Sequence, residues 1–165
     1  DDVLTFELIS GDQVIGVFYA DLFPREGKQG GAWMCPLLYK KTGETAAVIQ
    51  PHVGLICANF TPPVNGRSLI THREVETLFH EFGHLLHHLL TEAKIHAQAG
   101  TNVAWDFVEL PSQIMENWCW ERKALDLFAR HIDDGSPLPD ELFERLQRTR
   151  TFRSASAQMR QLTRI

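Results

Sequence analysis

The spacing of apolar positions along this chain changes once, near residue 70. Before that point they come in short runs. Residues 3–9 and 13–20 read as strands, joined by a turn at Ser10-Gly11-Asp12. Residues 21–31 form a loop with three glycines, and Gly30-Gly31 ahead of Ala32-Trp33-Met34 leaves room for another backbone beside a strand. Residues 40–45 make a polar turn. Residues 46–60 hold a further strand, apolar enough over 53–60 to be buried, and Thr61-Pro62-Pro63-Val64-Asn65-Gly66 is a loop.

After residue 70 the period becomes 3.6. Thr71 is a suitable N-cap, with Glu74 three residues on to complete a capping box. Val75, Leu78, Phe79, Phe82, Leu85, Leu86, Leu89 and Leu90 cluster on one face of a helix of about five turns. Gly83 in its middle costs about 1 kcal/mol against Ala, which a close approach by a metal site or a neighbouring element would explain. Residues 92–105 are irregular, and Gly100-Thr101-Asn102 breaks any helix. Residues 106–131 are mostly helical in pattern. Pro111 leaves two starts open, near Asp106 with a bend or at Leu110-Pro111. A loop at 133–137 precedes a third helix opened by Pro139-Asp140-Glu141, and the arginine-rich end (Arg148, Arg150, Arg153, Arg160, Arg164) suits a solvated helical surface. The expected class is α+β: antiparallel-type strands, then the long amphipathic helix, which the motif described below makes a zincin-type one, and further helices. Residues 1–70 form a strand-rich part and 71–165 a helical part.

Composition narrows the partners. A net charge of −5 and the lack of a Lys/Arg stripe argue against nucleic acid. No apolar run is long enough to span a bilayer, so no membrane association is expected. The chain opens on Asp1-Asp2 rather than Met and shows no signal peptide, which reads as a segment of a longer chain. Cys35, Cys57 and Cys119 are odd in number and far apart, as expected of free thiols in a reducing cytoplasm.

The candidate chemistry lies in Phe79-His80-Glu81-Phe82-Gly83-His84, which contains His-Glu-x-x-His. Two histidines four apart share one helix face and can grip one zinc ion, with the intervening Glu as general base. The pentapeptide also recurs by chance, but here the imidazoles fall roughly opposite the centre of the apolar face. A metzincin would continue to Gly and His where this chain has His87 and Leu90, so that class fails. A later Glu can complete a His₂Glu site. Glu109 is the first candidate. Glu116, two turns further on, is a second candidate, for ligand or for a group behind the ligands. Asp106 is a candidate to orient a ligand histidine. His52, His72, His87, His88, His96 and His131 are expected on the surface or in packing, and Trp33, Trp105, Trp118 and Trp120 in packing.

The motif and its flanks resemble the thimet oligopeptidase family of zinc metallopeptidases, most of all its bacterial oligopeptidase A branch. The resemblance rests on Leu78 to His84, Gly100-Thr101-Asn102-Val103 and Asp106 to Trp120. It extends to Gly16 to Lys28, Gly30 to Met34, Ala58-Asn59-Phe60 and Arg73 to Glu76, and so to nearly the whole chain. It implies one Zn²⁺ per chain held by His80, His84 and Glu109, with Glu81 as general base, in a cytoplasmic oligoendopeptidase that cuts short peptides internally. It also implies a fragment of a larger, mostly helical peptidase, whose other half walls a channel. A downstream Tyr/His segment for substrate and oxyanion is expected beyond these residues, since Tyr19 and Tyr39 both precede the zinc helix. Two alternatives stay open: a non-catalytic zinc-binding fragment, and a different His₂Glu hydrolase such as an aminopeptidase.

Overall fold

The computed structural model describes residues 3–42, 48–152 and 154–163. They fall into two compact units, which meet in sequence at Asn117 and Trp118. The first unit is built on a four-stranded sheet. Strand β1 (Leu4–Ser10) turns at Gly11, whose φ of 60° a glycine adopts without strain, into β2 (Gln13–Asp21). β3 (Trp33–Leu38) follows the glycine loop. Lys41–Thr42 (β4) and Val48–Gln50 (β5) form a short separate pair, and β6 (His52–Cys57) closes the sheet. The expected turn at 40–45 lies partly in 43–47, outside the described residues.

The sheet order is β1-β2-β6-β3. The expectation of antiparallel-type strands holds for β1/β2 and β3/β6 but not for β2/β6, which run parallel, Gly16 opposite His52 through Asp21 opposite Cys57. The sheet is mixed because β3 carries the chain back to the start of β2, so β6 enters between them in the direction of β2. A strand flanked on both sides reads as a continuous apolar run, as His52–Cys57 does.

Helix α1 (His72–Leu89) packs across this sheet. Its N-terminus is a complete capping box. Thr71 accepts from the Glu74 amide at 3.2 Å, and the Glu74 carboxylate takes the Thr71 amide at 2.6 Å. That carboxylate also accepts from the Thr61 amide at 2.6 Å, and these backbone donors hold its pKa at about 2. Leu85, Leu89 and Ile56 form the core, with Leu8, Phe18, Leu22, Met34, Leu78 and Phe82 packed around it. Burying each of Ile56, Leu85 and Leu89 contributes about 1.5–3 kcal/mol, and the partly buried neighbours contribute less. Leu90 falls outside the helix as its C-cap and is exposed.

The loop after β2 is clamped rather than loose. Asp21, at the strand end, pairs with Arg25 at 2.6 Å and Lys28 at 2.8 Å. The Lys28 ammonium also reaches the carbonyls of Asp21, Phe23 and Ala58 and is only 4% exposed. Arg25 and Lys28 hold the Asp21 carboxyl at about 2 against its burial. Asn59 donates to the carbonyls of Gln29 and Gly31, which fixes the segment entering β3.

The helical stretch expected over 106–131 is not one helix. Leu110 to Glu116 forms α2, with proline in the first turn; Asn117–Trp120 tightens to a 3-10 turn, and Arg122–Phe128 forms α3. The break lies at Glu121, whose backbone is extended, and the tightened turn buries Cys119 completely. The second unit adds α4 (Asp140–Arg150) and α5 (Ser154–Leu162). Arg122 joins α3 to α4 through Asp140 at 2.9 Å, and Gln147 donates to the Trp120 carbonyl. Arg148 is exposed beside Glu144, as expected of a solvated surface; Arg153 and Arg164 lie outside the described residues.

Candidate metal centre

Helix α1 places His80 and His84 one turn apart, with their ring centroids 4.9 Å apart. The third group comes from the N-cap of α2. Glu109 does not use its side chain to cap that helix, so its carboxylate is left to face α1. Oε2 of Glu109 lies 3.2 Å from Nε2 of His80 and 3.2 Å from Nε2 of His84. Among the described residues these three alone of the His, Cys, Asp and Glu side chains gather in a metal-binding cluster, with donor atoms within 4.8 Å of one another.

The two distances to Glu109 fit a metal. Bonds of about 2.0–2.1 Å at tetrahedral angles put neighbouring ligand atoms about 3.3 Å apart. The proton bookkeeping fits as well. Nδ1 of His80 lies 2.6 Å from Oε1 of Glu116. A carboxylate only accepts, so Nδ1 carries a proton, and Nε2 is the nitrogen left to face Glu109 and a metal. At 3.2 Å a proton on Nε2 bridges to the carboxylate oxygen, and a metal bound there would take that proton's place. Burial lowers the pKa of His84, which keeps that imidazole available as a neutral ligand. The Ser112 hydroxyl, followed by the two histidines, lowers the pKa of Glu109 against its own burial.

Glu116 thus stands behind His80 rather than in the cluster. Asp106, the other candidate for that task, is exposed and bonds to neither imidazole. The turn at 104–108 leaves it facing solvent, and Nδ1 of His84 is buried without a hydrogen-bond partner among the described residues. Glu81 is buried on the sheet side of α1. Burial raises its pKa, opposed by the His80 charge and by a hydrogen bond from the Met34 amide in β3. Sequence reasoning missed Met34 because the contact joins residues 47 apart in the chain. It also passed over Ser112, whose place three residues after Glu109 was the available signal.

A cleft of about 320 Å³ opens beside His80 and Glu116 and runs along α1 past Thr77 and Glu76 to Arg73. The larger cavity, about 530 Å³, lies at the other end of α1, against His52, Lys40 and Glu92. There His88 is fully buried, as expected of a packing histidine, with Nε2 3.2 Å from the Leu38 carbonyl and 3.1 Å from that of Val53. Trp105 departs from the expected packing role: it is 92% exposed, on the loop that leads to Glu109.

A helix with two histidines and an intervening glutamate, faced by a glutamate from the next helix, sets out the donor groups of a metallohydrolase. The family model of peptidase family M3 matches residues 1–164, and the chain belongs to that family. It is 47% identical over 164 residues to oligopeptidase A of Haemophilus influenzae, covering 98% of this chain and 24% of that protein. It is 46% identical over 164 residues to oligopeptidase A of Escherichia coli, with the same coverage. The dipeptidyl carboxypeptidase of Salmonella typhimurium is 40% identical over 154 residues, 92% of this chain and 22% of that protein. The chain spans about a quarter of the length of the curated relatives it matches. No helix of the described residues is long and apolar enough to cross a membrane.

Proposed function

We propose that this chain carries the zinc-binding catalytic core of an oligoendopeptidase that hydrolyses internal bonds of short peptides. The observation that supports it most is the convergence of His80 Nε2, His84 Nε2 and Glu109 Oε2 on one point. Zinc, when bound, supplies a Lewis acid for the scissile carbonyl and lowers the pKa of a water toward about 7. Glu81 takes the proton from the attacking water and delivers it to the leaving amine. Its burial and the Met34 amide hold that carboxylate in place. Glu116 keeps the His80 proton on Nδ1. A cytoplasmic location accords with free thiols at Cys35, Cys57 and Cys119.

Metal analysis of the purified chain and its variants tests the site. One zinc per chain is expected, lost in Glu109→Ala; zinc retained there sinks the ligand assignment. Glu81→Gln, made in the full-length parent, is expected to keep zinc and lower peptide cleavage about 10²–10⁴-fold. Internal cuts separate this reading from removal of C-terminal dipeptides or single N-terminal residues. A second reading, zinc binding without turnover, applies to the 165 residues taken alone and is favoured by their covering 24% of the H. influenzae relative. Chelator-sensitive cleavage of a quenched peptide by this chain alone would overturn it.

A further inference from the structure

We infer that Ser112 is a positioning residue that holds the Glu109 carboxylate at the distance and angle the metal cluster needs, with the bare backbone at Gly83 setting how close that carboxylate comes. The inference rests on the metal-site reading above and adds a residue to it.

Two observations carry it. Ser112 is fully buried, and its Oγ lies 2.7 Å from Oε2 of Glu109 and 2.9 Å from the Glu109 backbone carbonyl. A hydroxyl has one proton to give, and a buried one gives it. The charged acceptor at the shorter distance takes the larger share. The oxygen it holds is the one that both histidines face. Without that bond the Glu109 side chain, 49% exposed, is free to turn to solvent.

The second observation fixes the depth of the contact. A Cβ at Gly83 would lie 2.6 Å from the Pro111 oxygen and 2.6 Å from Ser112 Cα. Real Cβ atoms do not approach backbone so closely, and backbone cannot swing aside as a side-chain tip can. Helix α2 therefore rests its first turn on the one residue of the motif without a side chain, next to His84. The same contact sets the reach of Glu109 and seals the Ser112 hydroxyl from water. Ser112 touches neither substrate nor metal and acts through Glu109.

The test uses the whole chain, loaded with zinc for affinity by chelator competition and with cobalt(II) for ligand geometry by visible absorption. Ser112→Ala is expected to weaken zinc about 10- to 100-fold and to shift the cobalt bands, with the metal-free melting temperature little changed. Ser112→Thr keeps the donor and is expected to return the cobalt bands toward the original. Gly83→Ala, which improves helix propensity, is expected to weaken zinc nonetheless. Wild-type zinc affinity and cobalt bands in Ser112→Ala overturn the inference while leaving the metal site standing. So does a loss of affinity matched by an equal loss of metal-free stability that threonine does not reverse, since Ser112 then serves the fold alone. A wild-type chain that binds no zinc overturns both the inference and the metal-site reading.

Discussion

Two histidine sites sit on one helix about two turns apart, and they are built in opposite ways. At His80 a carboxylate holds the Nδ1 proton, and Nε2 faces Glu109. At His88 two backbone carbonyls face Nε2, so the proton must sit there, and the ring ties β3 and β6 to the end of α1. Burial lowers the pKa of His88 despite those carbonyls. His52 repeats the structural pattern: the Lys40 amide donates to its Nδ1 and its Nε2 proton goes to the Thr91 carbonyl. What separates the two is the far side of the ring: Nδ1 of His80 has a carboxylate to take its proton, whereas Nδ1 of His88 is buried without a hydrogen-bond partner among the described residues.

The largest effect that would break this contrast lies in exchanging the fates of the two histidines. His84→Ala is expected to abolish measurable zinc binding with the fold retained. His88→Ala is expected to spare the donor set but destabilise the chain by about 2–5 kcal/mol, because it opens a cavity and strips two backbone carbonyls of their donor. Zinc titration and denaturant unfolding of both variants would show a crossed pattern; loss of both properties in both would dissolve the distinction. A smaller effect is expected for Glu116→Gln, which can accept the His80 proton but without charge. Zinc affinity should fall about tenfold, to a hundredfold at most, read by chelator competition.

The smallest effect is on pH, and it sharpens the structural half of the contrast. His52 and His88 have pKa values lowered from 6.5 by burial, so the unfolded chain binds more protons than the folded one as the medium becomes acid. Their contribution is complete above the unfolded pKa and fades as pH falls through about 7 to 5. Asp21 and Glu74, held at about 2, act further down. Their stabilisation is present above the ordinary carboxylate range and is lost as pH drops from about 4 toward 2. Unfolding midpoints across this range should decline in two stages, and Asp21→Asn should flatten the lower one.

Much of this was legible in the chain before any fold was known. Thr71 and Glu74 announced the helix start because a capping box is local. The histidine pair was readable because helical periodicity puts i and i+4 on one face. Glu109 was reachable as an acidic residue at the start of the next helical segment. What escaped depends on contacts between distant residues. Nothing local to His52–Cys57 says that its neighbour on one side runs parallel. Nothing near Glu121 announces the break that splits α2 from α3. Asp106 and Glu116 were both acidic residues near Glu109, and only the fold separates the one that meets His80 from the one that meets water. Gly83 was recognised as costly, and the structure supplies the reason in the backbone of α2.

The clamp at Lys28 has a use of its own. The Lys28 amine, set among the Asp21 carboxylate and three carbonyls and almost wholly withdrawn from solvent, is out of reach of a reagent in the folded chain. Reductive methylation of the folded chain should therefore mark exposed lysines such as Lys41 and pass over Lys28. Its labelling would then report the moment the loop before β3 lets go, a chemical clock for that one segment, read by mass spectrometry without any change to the sequence.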